Sequence, residues 1–205
     1  MNREEKQRFN VQSGENIISV LMKCVKWSLS LVRLLRIKLI YGKKIEFNLF
    51  QGKPVYIGKN CRFIIIGCGK IIMHNDVYFD DYCTVLADNG RIVIRKDTYF
   101  NTFSRLISKG EITIGQGCMF GSNVSVYDHD HDISLGVKES CEKYSVKPVR
   151  IGEYVWCGTN VVVTKGITIG CNCVIGANSV VTKNLKSNAL YVGNPTVYKK
   201  SINSN

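Results

Sequence analysis

Histidine is scarce in this sequence: 205 residues contain only three, and two of them, His129 and His131, stand together in "VYDHDHD". The nine cysteines include no CxxC pair, so their spacing indicates neither a zinc site nor a disulfide framework. We expect most of them to be reduced thiols that serve as small apolar residues. The content of hydrophobic residues, 45%, and of charged residues, 21%, excludes a disordered chain.

Acidic residues are missing from residues 16–45, a segment rich in Ile, Val, Leu and Trp that contains seven Lys and Arg. Its charge-free runs are far shorter than the roughly 20 residues that span a bilayer. The mixed charges of "MNREEKQRFN" and the lack of a cleavage site do not suit a cleaved signal peptide. The pattern predicts a basic amphipathic helix, or a helix pair. We favour packing of its apolar face on its own domain or on a neighbouring subunit. The alternative is that the helix lies on an anionic membrane.

The charge balance is strongly basic, with 28 Lys and Arg against 16 Asp and Glu and a formal net charge of +12. Such an excess points to an anionic partner: nucleic acid, a membrane surface or a phosphorylated small molecule. The basic residues concentrate in the apolar N-terminal segment and near the C-terminus, and the sequence holds no nucleic-acid recognition motif. We therefore expect no nucleic-acid partner.

Compact apolar residues recur every six positions in the second half of the chain, and glycine follows four of them. A period of six is neither helical nor a simple strand alternation. It is typical of a parallel β-helix of triangular section, in which each hexapeptide supplies one face and about 18 residues complete one coil. The series consists of Ile151, Cys157, Val163, Ile169, Ile175 and Val181.

The first half of the chain keeps the same pattern with longer coils. Its coil starts at Met73, Ile94 and Ile114 are 21 and 20 residues apart, which predicts extra residues at a corner. Between Val126 and Ile151 the frame is interrupted, and the histidine pair lies in that long loop after Val126. Long insertions in a solenoid are usually functional or disordered.

These patterns predict one β-helix with an extension at each side. The predicted units are a basic amphipathic helical segment (1–50), a β-helix domain (51–190) with its loop (127–150), and a C-terminal tail (191–205).

The repeats, the stretch "IGEYVWCGTNVVVTKGITIG" and the closing "VGNPTVYKK" resemble the hexapeptide-repeat acyltransferases, most of all the sugar O-acetyltransferase branch. The resemblance covers roughly residues 55–200. It implies an all-β, left-handed parallel β-helix that forms a homotrimer. It also implies acetyl-CoA in a groove between adjacent subunits, an acceptor hydroxyl in the same groove, and a loop histidine as general base.

The spacing of the resembling motifs favours one of the two histidines. In the related enzymes the catalytic histidine follows a "TIG" and precedes the tryptophan of "VW" by nearly fixed intervals. Here His131 precedes Trp156 by 25 residues, which is close to the interval in the related enzymes. His129 precedes Trp156 by 27 residues, which is further from that interval. The resemblance therefore favours His131 as the catalytic base, with His129 as the second candidate.

Histidine chemistry suits this role, because an imidazole can take the proton of an attacking hydroxyl and pass it to the leaving thiolate. A carboxylate close to the ring would hold the required tautomer. Asp128, Asp130 and Asp132 are candidates for that carboxylate, and Asp130 is also a candidate for contact with the acceptor.

The resemblance assigns further binding residues by motif. Asn101 in "TYFNTF" matches an acceptor-contacting asparagine, although it can equally be a simple corner residue of a coil. Trp156 corresponds to a tryptophan that lines the CoA groove; the alternative is an aromatic packed on the face of the prism. The candidates for contact with the pantetheine arm and nucleotide of CoA are Gly158, Thr159, Ala177, Thr182 and Lys183.

The C-terminal motif departs from the related enzymes. They commonly end in "GNPAR", whereas this chain has "GNPTV", so Val197 cannot supply the charge that meets the CoA phosphates. Lys199 and Lys200 are the candidates for that contact, and Lys183 or Lys186 can also compensate.

Several other functions compete with this interpretation. The "HDHD" run could hold zinc through two histidines and a carboxylate, but no third ligand is evident, so no metal is expected. We expect a cytoplasmic enzyme, or one on the inner membrane face, that O-acetylates a sugar hydroxyl of a bacterial cell-surface glycan or its precursor. The alternatives are N-acetylation of an amino-sugar nucleotide and an inactive β-helix used for binding or scaffolding.

Overall fold

The computed structural model describes residues 16–47, 52–134, 136–138 and 143–202. Helix α1 (Ile17–Tyr41) is followed by a short 3-10 turn at Gly42–Lys44. The strands are β1 (Ile45–Glu46), β2 (Tyr56–Ile57), β3 (Arg62–Ile66), β4 (Lys70–Met73), β5 (Tyr78–Phe79), β6 (Thr84–Asp88), β7 (Arg91–Ile94), β8 (Tyr99–Phe100), β9 (Arg105–Ser108), β10 (Glu111–Ile114), β11 (Met119–Phe120), β12 (Ser125–Tyr127), β13 (His129–His131), β14 (Tyr144–Val146), β15 (Val149–Ile151), β16 (Trp156–Cys157), β17 (Val162–Val163), β18 (Thr168–Ile169), β19 (Cys173–Ile175), β20 (Val180–Val181), β21 (Ala189–Val192) and β22 (Val197–Ser201).

The strands form three long sheets that wind into a parallel β-helix, as the hexapeptide period predicts. Sheet A has the order β1-β4-β7-β10-β15-β18, and sheet C has the order β3-β6-β9-β12-β17-β20. Sheet B has the order β2-β5-β8-β11-β16-β19-β21-β22 and is parallel except for its last pair. Successive coils therefore pass from sheet A to B to C, with an A–B, a B–C and a C–A corner in each coil.

The residues of the six-residue series point into the prism, and their burial confirms the predicted pattern. The parallel registers place Met73 beside Ile94 in sheet A and Val126 beside Val163 in sheet C. Equivalent side chains thus stack from coil to coil and exclude water along the whole axis. The buried members of the series are Ile57, Phe63, Met73, Phe79, Val85, Ile94, Phe100, Leu106, Ile114, Phe120, Val126, Ile151, Cys157, Val163, Ile169, Ile175 and Val181.

Three phenylalanines form a continuous stack inside sheet B. The ring centroids of Phe79 and Phe100 are 4.7 Å apart, and those of Phe100 and Phe120 are 4.6 Å apart, with nearly parallel ring planes. Below them, Phe63 meets Phe79 edge to face. Phe100 is therefore packed on both faces by aromatic rings at the centre of the core.

Asparagines at the B–C corner link one coil to the next. The amide of Asn123 donates to Asn160 at 2.9 Å, and the amide of Asn160 donates to Asn178 at 3.0 Å. All three have φ close to +60°, the left-handed conformation that asparagine tolerates better than most residues. The repeated Gly-x-Asn at each of these corners is the sequence signal for this ladder.

Helix α1 closes the first coil of the β-helix. The backbone N–H of Ile57 donates to Ser30 Oγ at 2.7 Å, and the guanidinium of Arg33 donates to the carbonyl of Ile57 at 3.0 Å. Leu34 joins the core cluster, and Trp27 meets Tyr56 edge to face. The helix thus satisfies the backbone groups on the outer edge of β2 and protects that edge from pairing with another chain.

Ser30→Ala is expected to lower the free energy of unfolding by about 1–3 kcal/mol, because it leaves the buried N–H of Ile57 without an acceptor. Ser28→Ala on the exposed side of the same helix is the matched control and is expected to stay within about 0.5 kcal/mol. Urea unfolding monitored by circular dichroism measures both variants. Equal stabilities of the two variants would contradict the role of Ser30 at this edge.

The predicted boundaries at residues 50 and 190 stay predictions, but the structure shows what lies beside them. Ile45 and Glu46 form β1, which pairs with β4 in sheet A. At the other side, β21 runs to Val192, with Tyr191 in the core, and pairs antiparallel with β22. Elements on the far side of both boundaries therefore take part in the β-helix.

Candidate active site

The two ends of the insertion after Val126 pair with each other as antiparallel strands. They form a hairpin that projects from the C–A corner. Strands β13 and β14 place His129 opposite Val146 and His131 opposite Tyr144. The amide of Lys147 donates to the carbonyl of Asp128 at 2.8 Å and closes the base of the hairpin. Both histidines are therefore held on regular structure rather than on an irregular loop.

Asp128 lies at the bend between β12 and β13 and is fully buried. Its carboxylate accepts hydrogen bonds from Ser108 Oγ at 2.6 Å and from the backbone N–H groups of Lys109 and Gly110, both at 2.8 Å. A buried charge requires such partners. These donors come from the preceding coil, so the β-helix fixes the position and orientation of this carboxylate.

His129 is held by this buried carboxylate. Its Nδ1 lies 2.9 Å from Asp128 Oδ1. An imidazole that donates from Nδ1 to a carboxylate keeps Nε2 as the acceptor, which is the tautomer that a general base needs. Asp128, one of the three aspartates predicted as candidates for this role, thus has its carboxylate fixed against an imidazole.

His131 lies at the exposed end of β13 and contacts Tyr144, with the two ring centroids 4.6 Å apart. Tyr144 also meets His129 edge to face at 5.6 Å, and the ammonium of Lys109 lies 3.9 Å from the Tyr144 ring centroid. Which histidine is the base stays a prediction. The positioning of His129 by Asp128 favours it over His131, the residue favoured by spacing.

Asp130 and Asp132 have other partners. Asp130 pairs with Lys165 at 2.6 Å and ties the hairpin to the next coil. Asp132 accepts a hydrogen bond from the backbone N–H of Ser134, which lowers the pKa of this exposed carboxyl. Contact of Asp130 with an acceptor stays a prediction.

Gly110 allows the hairpin to approach the prism. A Cβ at this position would lie 2.6 Å from Val146 Cγ1 on β14, which is closer than packed carbon atoms allow. Neither Gly110 nor Ser108 was predicted as part of the site, because neither belongs to the motif that contains the histidines. The available signal was the glycine of "ISKGE", at a corner where the spacing of the coils predicts extra residues.

Four of the predicted binding residues lie at the B–C corner. Asn101 follows β8, and its side-chain oxygen accepts from the N–H of Thr102 at 2.7 Å. Gly158 and Thr159 follow β16. Ala177 lies directly above Gly158, where a Cβ on the glycine would be 2.7 Å from the Ala177 nitrogen. Asn101 is therefore a corner residue, which leaves its role in acceptor binding a prediction.

The other predicted residues lie elsewhere on the prism. Thr182 and Lys183 follow β20 at the C–A corner, the corner from which the hairpin leaves in an earlier coil. Trp156 is 50% exposed on the outer face of sheet B, and Lys199 and Lys200 are exposed on β22. Within one chain, the width of sheet C therefore lies between the candidate residues at the B–C corner and those at the C–A corner.

The eight cysteines of the described residues are all free thiols, as expected. Burial raises the pKa of Cys118 to about 12 and also raises the pKa of Cys157 and Cys173. These buried thiols therefore stay protonated and act as core residues. Within the described ranges, no group of three or more His, Cys, Asp or Glu is arranged to hold a metal ion.

Comparison with known proteins identifies relatives of this chain. A family model described as the hexapeptide repeat of succinyl-transferase matches residues 111–137 and 148–183. A galactoside O-acetyltransferase of Lactococcus lactis is 39% identical over 98 residues, which cover 48% of this chain and 47% of that protein. A putative lipopolysaccharide biosynthesis O-acetyl transferase of Escherichia coli, WbbJ, is 32% identical over 111 residues, covering 50% and 57%. The chain spans about half the length of these curated relatives.

The crystal structure of a maltose O-acetyltransferase from Clostridium difficile extends the likeness. The two sequences are 32% identical, and the match covers 72% of this chain and 70% of the maltose O-acetyltransferase chain, with a TM-score of 0.50. The chain therefore belongs to the hexapeptide-repeat acyltransferases.

Proposed function

We propose that the chain is an acetyl-CoA-dependent O-acetyltransferase that acts on a sugar hydroxyl, with His129 as general base. The observation that carries the proposal is the hydrogen bond between His129 Nδ1 and the buried carboxylate of Asp128. The names of the related galactoside, maltose and lipopolysaccharide O-acetyltransferases support a sugar acceptor.

In the proposed reaction, Nε2 of His129 accepts the proton of the acceptor hydroxyl while the hydroxyl oxygen attacks the thioester carbonyl. The tetrahedral intermediate then expels the CoA thiolate, which receives the proton from the imidazolium. Asp128 orients the ring and stabilises its positive charge during this transfer. Backbone N–H groups of a neighbouring coil would stabilise the oxyanion.

We propose that the working unit is a homotrimer with each site between two subunits. The distribution of the candidate residues supports this, because one chain presents His129, Thr182 and Lys183 at one corner and Gly158 and Ala177 at another. A groove that takes one corner from each of two subunits would unite both sets. Lys199, Lys200 and Lys183 would then meet the CoA phosphates, while Trp156, Thr159 and Asn101 would line the same groove.

We propose as the physiological acceptor a bacterial cell-surface glycan or its precursor, such as a capsule or O-antigen unit, met in the cytoplasm or at the inner membrane face. The relative WbbJ, named for lipopolysaccharide biosynthesis, supports this class. The free thiols of the described cysteines also suit a reducing compartment.

A panel of acceptors with acetyl-CoA tests the proposal by release of the CoA thiol. We expect thiol release with oligosaccharide acceptors and a product whose acetyl group mild alkali removes, as an ester requires. Release with an amino-sugar nucleotide alone, giving an alkali-stable amide, would favour N-acetylation. Glycan binding without thiol release would favour a binding or scaffold protein.

A further inference from the structure

Helix α1 carries a broad apolar face that the β-helix leaves uncovered. Its inner side buries Ser30 and Leu34 against the first coil. At about 100° per residue, the exposed apolar side chains span about 200° of the helix circumference. They are Ile17, Ile18, Val20, Leu21, Met22, Val25, Trp27, Leu29, Leu31, Val32, Leu35, Leu39 and Ile40.

The charges around this face all have one sign. Lys26 lies beside the apolar arc, Arg36 and Lys38 lie within it towards its two margins, and Lys43 follows the helix. The ammonium of Lys38 also donates to the carbonyl of Ile45 at 2.8 Å. No acidic residue occurs from residue 16 to residue 45. An apolar face with basic residues at its margins is complementary to a lipid surface with anionic headgroups, where long basic side chains reach the phosphates while the apolar residues enter the acyl boundary.

The same features do not suit a second copy of this helix. Two copies would bring together ten Lys and Arg side chains with no carboxylate between them to form interhelical ion pairs. The apolar arc is also much wider than the narrow seam of a helical pair.

No helix in the described ranges combines the length and apolar character needed to cross a bilayer.

We infer that α1 docks the protein on an anionic lipid surface, lying in the plane of the interface with its uncovered apolar face in the lipid. Since the opposite face of the helix is fixed to β2, docking places the first coil of the β-helix next to the lipid. This surface is separate from the hairpin that carries His129, so the inference does not depend on the proposed reaction.

Sedimentation with lipid vesicles tests the inference on the full chain. The wild type is expected to bind vesicles of phosphatidylglycerol and phosphatidylcholine and to bind pure phosphatidylcholine at least about tenfold more weakly. Val32→Glu, at a side chain 61% exposed, is expected to weaken binding about tenfold or more. Ile66→Glu, at a side chain 48% exposed on sheet C, is the matched control and is expected to bind as the wild type.

Leu39→Glu, at the most exposed apolar side chain of the helix (87%), provides a second variant should Val32→Glu fail to fold. Light scattering after size exclusion checks the oligomeric state of each variant. Failure of the wild type to bind anionic vesicles, or unchanged binding by both helix variants, would overturn the inference. A change of oligomeric state in the helix variants without a change in vesicle binding would overturn it as well, in favour of a contact between copies.

Discussion

His129→Ala is expected to lower the rate of acetyl transfer by about 10²–10⁴-fold, the range that a positioned general base contributes. The carboxylate of Asp128 already holds this imidazole, so its loss removes a group that is oriented before substrate binds. His131→Ala is expected to have a small effect, because His131 lies at the exposed end of β13. Initial rates of CoA thiol release measure both variants.

Asp128→Asn separates the orientation of His129 from the presence of its ring. The amide keeps the size of the side chain, but an NH2 group that cannot accept replaces one carboxylate oxygen. Part of the hydrogen bonding from Ser108 Oγ and from the backbone N–H groups of Lys109 and Gly110 is therefore lost. We expect kcat to fall, because the ring of His129 loses the carboxylate that orients it. We expect KM for acetyl-CoA to change little, because Asp128 is buried. A full loss of activity in His131→Ala with full activity in His129→Ala would show that the base is His131.

Phe100→Ala is expected to lower the free energy of unfolding by about 3–5 kcal/mol. Phe100 is the middle ring of the buried stack, so its removal opens a cavity between Phe79 and Phe120 and ends both ring contacts. The parallel pairing on both sides of β8 restricts collapse into that cavity. Chemical unfolding followed by circular dichroism measures the change.

Phe103→Ala is the matched control, three residues further along the same coil. Phe103 is 49% exposed at the B–C corner and stacks on Tyr82, with the centroids 5.1 Å apart. Its truncation creates no internal cavity, so we expect a loss of about 1 kcal/mol or less. Equal losses in Phe100→Ala and Phe103→Ala would contradict a core that depends on the inner stack.

The fold of the prism could be predicted from the sequence because the feature that determines it, an inward-pointing apolar residue in each hexapeptide, is periodic. A residue such as Cys157 or Val163 is buried for the same reason as every other member of its series, and six-residue spacing records that reason directly. The role of α1 was not accessible in this way. Its apolar residues surround most of the helix, so hydrophobic periodicity could not single out Ser30 and Leu34 as the inner side.

The candidate site was predicted in composition but not in geometry. The sequence placed His129, His131 and three aspartates in one loop. Burial decides which aspartate orients which ring, and burial at Asp128 comes from Ser108 and Gly110 in the previous coil. Residues 20 positions apart meet there because one coil separates them, and motif spacing within the loop carries no information about that contact.

The two ends of the β-helix are closed by elements outside the six-residue repeat: α1 covers β2, and the antiparallel β22 covers β21. Every coil between them presents the same kind of surface to the coil before it and the coil after it. A whole coil can therefore be gained or lost in the interior while both closures keep their contacts. The length of the prism can change during evolution independently of its ends, which allows the distance between α1 and the His129 hairpin to be adjusted in steps of one coil.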